Sequence, residues 1–278
     1  MTPRRLSGVS VLATDLDGTL LRSDGSVSDK TRTAIATAHD RGVRTLFVTG
    51  RPPRWMAPVV AATGRSGISV CANGAVTVDL STDTVLTSSA IPANVLGEAM
   101  ATIGDLLDGS FYFAAEQALP GPIRATGLFP EPGFVPPDRP VAQIADQPLY
   151  EIPGVVKLLV RTEGATEQTA ELAGVVAAAL GGALNVTHAS RTHQMLEISR
   201  AGVDKATALA NLAADWSLPP EQIAAAGDMP NDIPMIRWAG HGAAVASAHA
   251  DVVAAADEVI PDPEQDGVAD LLQRLLPE

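Results

Sequence analysis

A single cysteine, Cys71, stands among 278 residues. It excludes an intrachain disulfide and suits a reducing compartment. Aromatic residues are only 4% of the chain, so a core has to be assembled from Ala, Val, Leu and Ile. Basic residues are also scarce: 19 Lys and Arg against 32 Asp and Glu leave a net charge of -13. That balance argues against nucleic acid as a partner, because binding a phosphate backbone takes clustered cations. No apolar run is long enough to span a membrane. Arg4 and Arg5 precede an apolar stretch that is short and interrupted by Asp15, which is not the pattern of a secretory signal. A cytoplasmic protein, monomer or homodimer, is expected. The five histidines make no metal spacing and no Cys/His cluster suggests zinc. His39, His188 and His193 are expected in structural or solvated roles.

What is present is the composition of a globular protein, with 46% hydrophobic and 18% charged residues. The N-terminal part alternates strands and helices. Strands are expected over 9–13, 43–48 and 68–71, with a helix over 29–41 capped by Ser28 and closed by Gly42. Pro52 suits the first turn of a further helix. This βαβαβ order implies a parallel sheet with right-handed crossovers.

The middle reads differently. A hairpin is expected over 75–90, helices over 92–107 and 166–180, and strands over 155–161, 183–188 and 195–199. Residues 119–140 are crowded with Pro and Gly and read as a stiffened loop, long enough to be functional. After about residue 200 the α/β rhythm returns, with Asp204 capping a helix that begins at Lys205 and a strand over 223–226. The expected fold class is α/β: a doubly wound parallel-sheet core (1–85 and 200–278) with an inserted α+β cap (86–199).

Chemistry gathers at the strand ends. The first strand ends in Asp15 and Asp17, the second at Thr49-Gly50-Arg51, the third at Asn73, and a late one at Asp228 with Asn231 and Asp232. Lys205 opens a helix beside them. In a parallel sheet these ends share one edge, where ligands bind. Carboxylates, a hydroxyl and a lysine meet what metal-assisted phosphoryl transfer requires, namely positioning and charge neutralisation. Oxygen-only donors select a hard cation such as Mg2+.

The runs Asp-Leu-Asp-Gly-Thr-Leu (15–20), Val-Thr-Gly-Arg (48–51), Asn-Gly-Ala (73–75), Gly-Val-Asp-Lys (202–205) and Gly-Asp-Met-Pro-Asn-Asp (227–232) resemble the haloacid dehalogenase-like superfamily. Their order and spacing are similar to its Cof-type, or type IIB, phosphatases. The resemblance implies that Asp15 is a nucleophile forming an aspartyl-phosphate and that Asp17 is the proton carrier. It implies that Thr49, Gly50, Arg51, Asn73, Lys205 and Asn231 surround the phosphoryl group. Asp15, the main-chain carbonyl of Asp17 and Asp228 would hold Mg2+, with Asp232 orienting its waters. Two positions depart from the family pattern: Ser247 stands where asparagine is frequent, and Ala206 where glycine is common. The implied partner is a small phosphorylated metabolite, a sugar phosphate or phosphorylated cofactor. A phosphomutase would need a second phosphate site in the cap, for which Arg124, Arg139, Lys157 and Arg161 are scattered. A non-catalytic phospho-ligand-binding protein is the third alternative. Trp55 and Met56 are expected to pack the turn after Arg51, and residues 271–276 to form a core-facing helix stripe.

Overall fold

The computed structural model describes residue 6 and residues 8–107, 111–134, 144–162, 169–187 and 195–276. In chain order the elements are β1 (Val11–Thr14), α1 (Asp29–Asp40), β2 (Arg44–Val48), α2 (Ala57–Thr63), β3 (Ile68–Cys71), β4 (Val76–Asp79), β5 (Thr84–Ser88), α3 (Ala93–Leu106), β6 (Phe111–Gln117), β7 (Gly121–Pro122) and β8 (Gly127–Pro130). They continue with β9 (Val155–Thr162), α4 (Thr169–Ala179), β10 (Leu184–Thr187), β11 (Met195–Arg200), α5 (Lys205–Asp215), β12 (Ile223–Gly227), α6 (Ile233–Trp238), β13 (His241–Val245), α7 (Ala250–Ala255), β14 (Glu258–Ile260) and α8 (Gly267–Leu275).

The larger sheet has nine strands in the order β14-β13-β12-β1-β2-β3-β4-β5-β7. Strands β14 to β3 in that order are parallel, and β4, β5 and β7 are antiparallel additions. Strand alternation explains the double winding. Leu12 of β1 packs with Ile35 of α1 and Leu272 of α8 on one face. Val11 and Ala13 pack with Leu209 and Leu212 of α5 on the other. The apolar stripe of α1 is Ala34, Ile35 and Ala38, and its first turn is held by Ser28 Oγ accepting from Thr31 N–H at 2.9 Å. Truncating Ile35, which is fully buried, would cost about 2–5 kcal/mol.

The smaller sheet is antiparallel, five strands in the order β10-β11-β9-β6-β8. One face buries Phe113, Leu158, Val160 and Ile198 under Leu96 and Ile103 of α3 and Val176 of α4. The architecture is thus an α/β Rossmann-like core with an inserted cap.

Four details differ from the sequence-based expectations. β6 was not foreseen, yet it lies between β9 and β8 in the smaller sheet. Phe113, Ala114, Ala115 and Glu116 are all buried, so the strand shows no polar alternation to read. The Pro/Gly-rich stretch is not all loop: β7 and β8 form within it, with Pro122 and Pro130 on edge strands, where the lack of an N–H is tolerated. Residues 135–140, the end of that stretch, lie outside the described residues. After Pro52 a 3-10 turn, Pro53–Trp55, precedes α2. Finally, β5 spans position 85/86, and β7 joins the larger sheet from inside the segment 86–199.

Candidate active site

The end of β1 stays in register for one residue beyond the strand. Asp15 N–H donates to the Ala226 carbonyl at 2.9 Å, which fixes the Asp15 side chain beside the end of β12. The chain then turns sharply, with the Leu16 carbonyl accepting from Leu20 and Leu21 at 3.0 and 2.8 Å. Gly18 makes the turn at φ +83°, and a Cβ there would stand 2.6 Å from Asp228 Oδ2. The position therefore needs glycine both for its backbone and for the carboxylate pressed against it. Thr19 Oγ1 donates to Asp228 Oδ1 at 3.3 Å, closing the turn on the end of β12.

Lys205 occupies the first turn of α5, where the helix dipole disfavours a cation. Asp204 Oδ1 caps the helix by accepting from Thr207 N–H at 2.7 Å. Gly74, at φ +103°, lets the end of β3 approach the Asp204 carbonyl so closely that a Cβ would lie 2.1 Å from it. The side chain of Lys205 is only 1% exposed, and its Nζ lies 2.6 Å from both Asp15 Oδ1 and Asp232 Oδ1. Asp232 Oδ2 accepts from the backbone N–H groups of Asp228 and Met229, both at 3.0 Å.

The electrostatics follow from this crowding. Burial pushes the Asp15 carboxyl well above the usual carboxylate range, with Lys205 opposing and the carboxylates of Asp232 and Asp228 adding to the rise. Burial works against the Lys205 ammonium, but Asp15 and Asp232 outweigh it and hold the group above its ordinary value. Asp15, Asp228 and Asp232 each offer a carboxylate oxygen within 4.8 Å of the others, all three residues buried. One lysine cannot neutralise three buried carboxylates, so the cluster calls for a further cation, and its all-oxygen donor set fits a hard divalent metal. The three are unequal. Asp232 spends one oxygen on Lys205 and the other on two backbone amides, whereas no protein donor among the described residues reaches Asp15 Oδ2. Asp15 is therefore better placed than Asp232 for direct contact with a metal.

Asp17 stands apart. Its side chain is 60% exposed and is held in a two-point ion pair by Arg51, Nε to Oδ2 at 2.7 Å and Nη2 to Oδ1 at 2.5 Å. Thr49 is buried at the end of β2, and its Oγ1 accepts from Arg51 N–H at 3.1 Å, leaving its own O–H to donate. Asn73 adopts the left-handed region, φ 56° and ψ 33°. Its Nδ2 donates to Glu197 Oε2 at 2.5 Å and its Oδ1 accepts from Asn231 Nδ2 at 3.0 Å. The carbonyl of Gly50 accepts from Lys157 Nζ at 2.9 Å.

Lys157, Glu197, Glu116 and Arg54 were not foreseen at this site. Arg54 and Glu116 form a two-point ion pair between the turn after β2 and β6. The available signal was a charge set in an apolar strand, as in Val155-Val156-Lys157-Leu158-Leu159. Met56 is fully buried and serves packing as expected. Trp55 lies 5.5 Å from the Arg54 guanidinium. Of the histidines, His241 pairs with Glu258 and His249 Nδ1 accepts from Asp251 N–H, while His188 and His193 lie outside the described residues. Ser247 N–H donates to Asp262 Oδ1 at 2.7 Å. Among the described residues no helix is long and apolar enough to cross a membrane.

An oxygen-donor centre at the carboxyl edge of a doubly wound sheet, faced by an inserted antiparallel sheet, defines a class of capped α/β hydrolases. The profile of the haloacid dehalogenase-like hydrolases matches residues 12–272, and the chain belongs to that family. It is 26% identical to the 5-amino-6-(5-phospho-D-ribitylamino)uracil phosphatase YcsE of Bacillus subtilis, over 94% of this chain and 93% of that one. It is 28% identical to the pyridoxal phosphate phosphatase YbhA of Escherichia coli, over 94% of this chain and 97% of that one. Among solved structures, BT1666 from Bacteroides thetaiotaomicron, described among phosphatases of the superfamily, superposes with a TM-score of 0.77 at 25% identity, covering 98% of this chain and 97% of its own.

Proposed function

We propose that this hydrolase is a Mg2+-dependent phosphatase acting on a small phosphate monoester, a sugar phosphate or a phosphorylated cofactor. The observation that carries the reading is the unequal pair at the end of β1: Asp15 buried against Lys205 in a carboxylate cluster, and Asp17 outside it, 60% exposed. The names of the two full-length relatives support a phosphorylated small molecule, and because they name different ones they support the class only.

In this reading an oxygen of Asp15 attacks phosphorus. The bond from phosphorus to the leaving oxygen breaks, its electron pair stays on that oxygen, and Asp17 supplies the proton. Asp17 then takes a proton from water, the water oxygen attacks the aspartyl-phosphate, and the Asp15 carboxylate is restored as free phosphate leaves. Lys205 holds Asp15 in place and offsets the phosphoryl charge, while Thr49 donates its O–H to a phosphoryl oxygen. Arg51 parks Asp17 at the rim until the leaving group arrives. Mg2+, held by Asp15, Asp228 and the main-chain carbonyl of Asp17, would supply charge neutralisation on the phosphoryl oxygens, with Asp232 setting the frame around it. The cap would exclude water and read the leaving group. A cytoplasmic location is proposed with it, resting on the single cysteine, Cys71, which can form no intrachain disulfide.

A mutase would need a second phosphate site, and Lys157 is already bonded to Gly50 and Glu197, while Arg139 lies outside the described residues. A phosphate-release screen of monoesters with Mg2+ tests the proposal. It expects free phosphate from a narrow set of esters, and none from the Asp15→Asn variant. Isomerised product, silence of the wild type across the panel, or undiminished activity in that variant would overturn it.

A further inference from the structure

Two charged side chains of the smaller sheet reach loops at the end of the larger one. Lys157 on β9 and Glu197 on β11 share the face that Glu116 and Leu159 occupy, since Lys157 stands opposite Glu116 and Leu159 opposite Glu197. The Lys157 side chain is 4% exposed. Its Nζ lies 3.0 Å from Glu197 Oε2 and donates to the Gly50 carbonyl at 2.9 Å. The same Glu197 oxygen accepts from Asn73 Nδ2. One ion pair of the smaller sheet thus touches both loops at the phosphoryl end of the larger sheet, the one after β2 and the one after β3. Gly50 permits this closeness, because a Cβ there would lie 2.9 Å from Asn73 Oδ1.

The bonds also have a direction. A carboxylate only accepts, so Glu197 obliges Asn73 to present Nδ2 to it and to turn Oδ1 the other way. Asn231 must then give its Nδ2 to Asn73, which leaves Asn231 Oδ1 buried with no hydrogen-bond partner among the described residues. Asn231 precedes Asp232, which holds Lys205. A charge on the smaller sheet therefore decides which end of the Asn231 amide is left open in the catalytic loop: an acceptor, ready for a donor that arrives with substrate or solvent. An unpaired buried acceptor of this kind asks for an explanation, and a ligand-borne donor supplies one.

We propose that Lys157 and Glu197 are positioning residues, setting the polarity of the Asn73–Asn231 amide pair and the place of the Gly50 carbonyl. The phosphoryl pocket is complete only when the smaller sheet is docked. This rests on the phosphatase reading above. Substituting one of the two residues alone leaves the other charge buried and unpaired, so the main variant removes both: Lys157→Met with Glu197→Leu. With 4-nitrophenyl phosphate and Mg2+, the expected result is a melting temperature close to wild type and kcat/KM down by about tenfold or more. Adding Asn231→Ala to the double variant should cost little further, because the relay is already broken, although Asn231→Ala alone costs about tenfold. A double variant with wild-type kcat/KM, or a full multiplicative loss on adding Asn231→Ala, overturns the proposal. If the double variant does not fold, the side-chain amide N–H resonances of Asn73 and Asn231 are compared between wild type and Glu197→Gln. Shifts in both support the relay and unchanged resonances refute it. That second readout needs no turnover, so a wild type that releases no phosphate sinks the phosphatase reading separately.

Discussion

At the carboxyl edge of the larger sheet, one ammonium faces three buried carboxylates, with Lys205 Nζ 2.6 Å from two of them. Where the smaller sheet meets the larger one, buried charges are paired: Lys157 with Glu197 within the smaller sheet, and Glu116 with Arg54 of the turn after β2. Both regions take charge out of water, but only the first leaves an excess. A matched pair satisfies itself and fixes how two layers dock. An excess of buried negative charge is relieved by a proton or by a bound cation, and a site that carries such an excess is one suited to chemistry.

Substitutions separate the two kinds of charge. The largest effect is expected for Asp15→Asn. Phosphate release should fall by about 10^4-fold or more, as for loss of a nucleophile. The melting temperature should hold or rise, because one of three repelling carboxylates has gone. A stability loss there would show that the cluster is a structural ion network and not an unbalanced one. Asp17→Asn comes next: loss of the proposed proton carrier should lower kcat by about 10^2–10^4-fold. Its exposed side chain leaves the urea midpoint where it was. Arg54→Ala reverses the pattern. It strands the buried Glu116 carboxylate and should cost about 2 kcal/mol in urea unfolding, toward the low side because the Arg54 side chain is 24% exposed. Its kcat/KM should drop less than that of either aspartate variant.

The smallest effect is expected at Glu258 of β14, an edge strand of the larger sheet. Burial works to raise the Glu258 carboxyl, but hydrogen bonds from Arg274 and His241 outweigh it and hold the group below its ordinary value. A depressed carboxyl contributes stability that is present above the unfolded value and lost as pH falls through the folded one. Glu258→Gln should therefore flatten the melting curve between about pH 5 and about pH 3 and change little at neutral pH. An unaltered acid limb would show that Glu258 contributes nothing to acid stability.

The same contrast explains what the sequence makes legible. Asp15, Lys205, Asp228 and Asp232 sit at the ends or starts of elements whose backbone demands glycine or a cap, so each is embedded in a short contiguous run and the runs recur in order. The structure brings these four together. The core strands β1, β2, β3 and β12 were legible for the same reason. The cap's contribution was not. Lys157 and Glu197 meet because Leu158 pairs with Ile198 across an antiparallel ladder, a register that no local pattern announces. β6 hid because both of its faces are covered, and β8 because its edge position tolerates proline. Chemistry carried by backbone turns leaves a local signature, whereas recognition carried by sheet faces does not.

The central claim, that Asp15 is the excess carboxylate that attacks phosphorus, has one direct measurement. The protein is mixed with Mg2+ and an excess of a turned-over phosphate ester, quenched in acid within the first turnover, and digested for mass spectrometry. A single phosphoryl group is expected on the peptide that contains Asp15, formed in wild type and Asp17→Asn and absent from Asp15→Asn. Phosphate released with no phosphorylated peptide in either of the first two proteins, or a phosphoryl group on any other side chain, would contradict it.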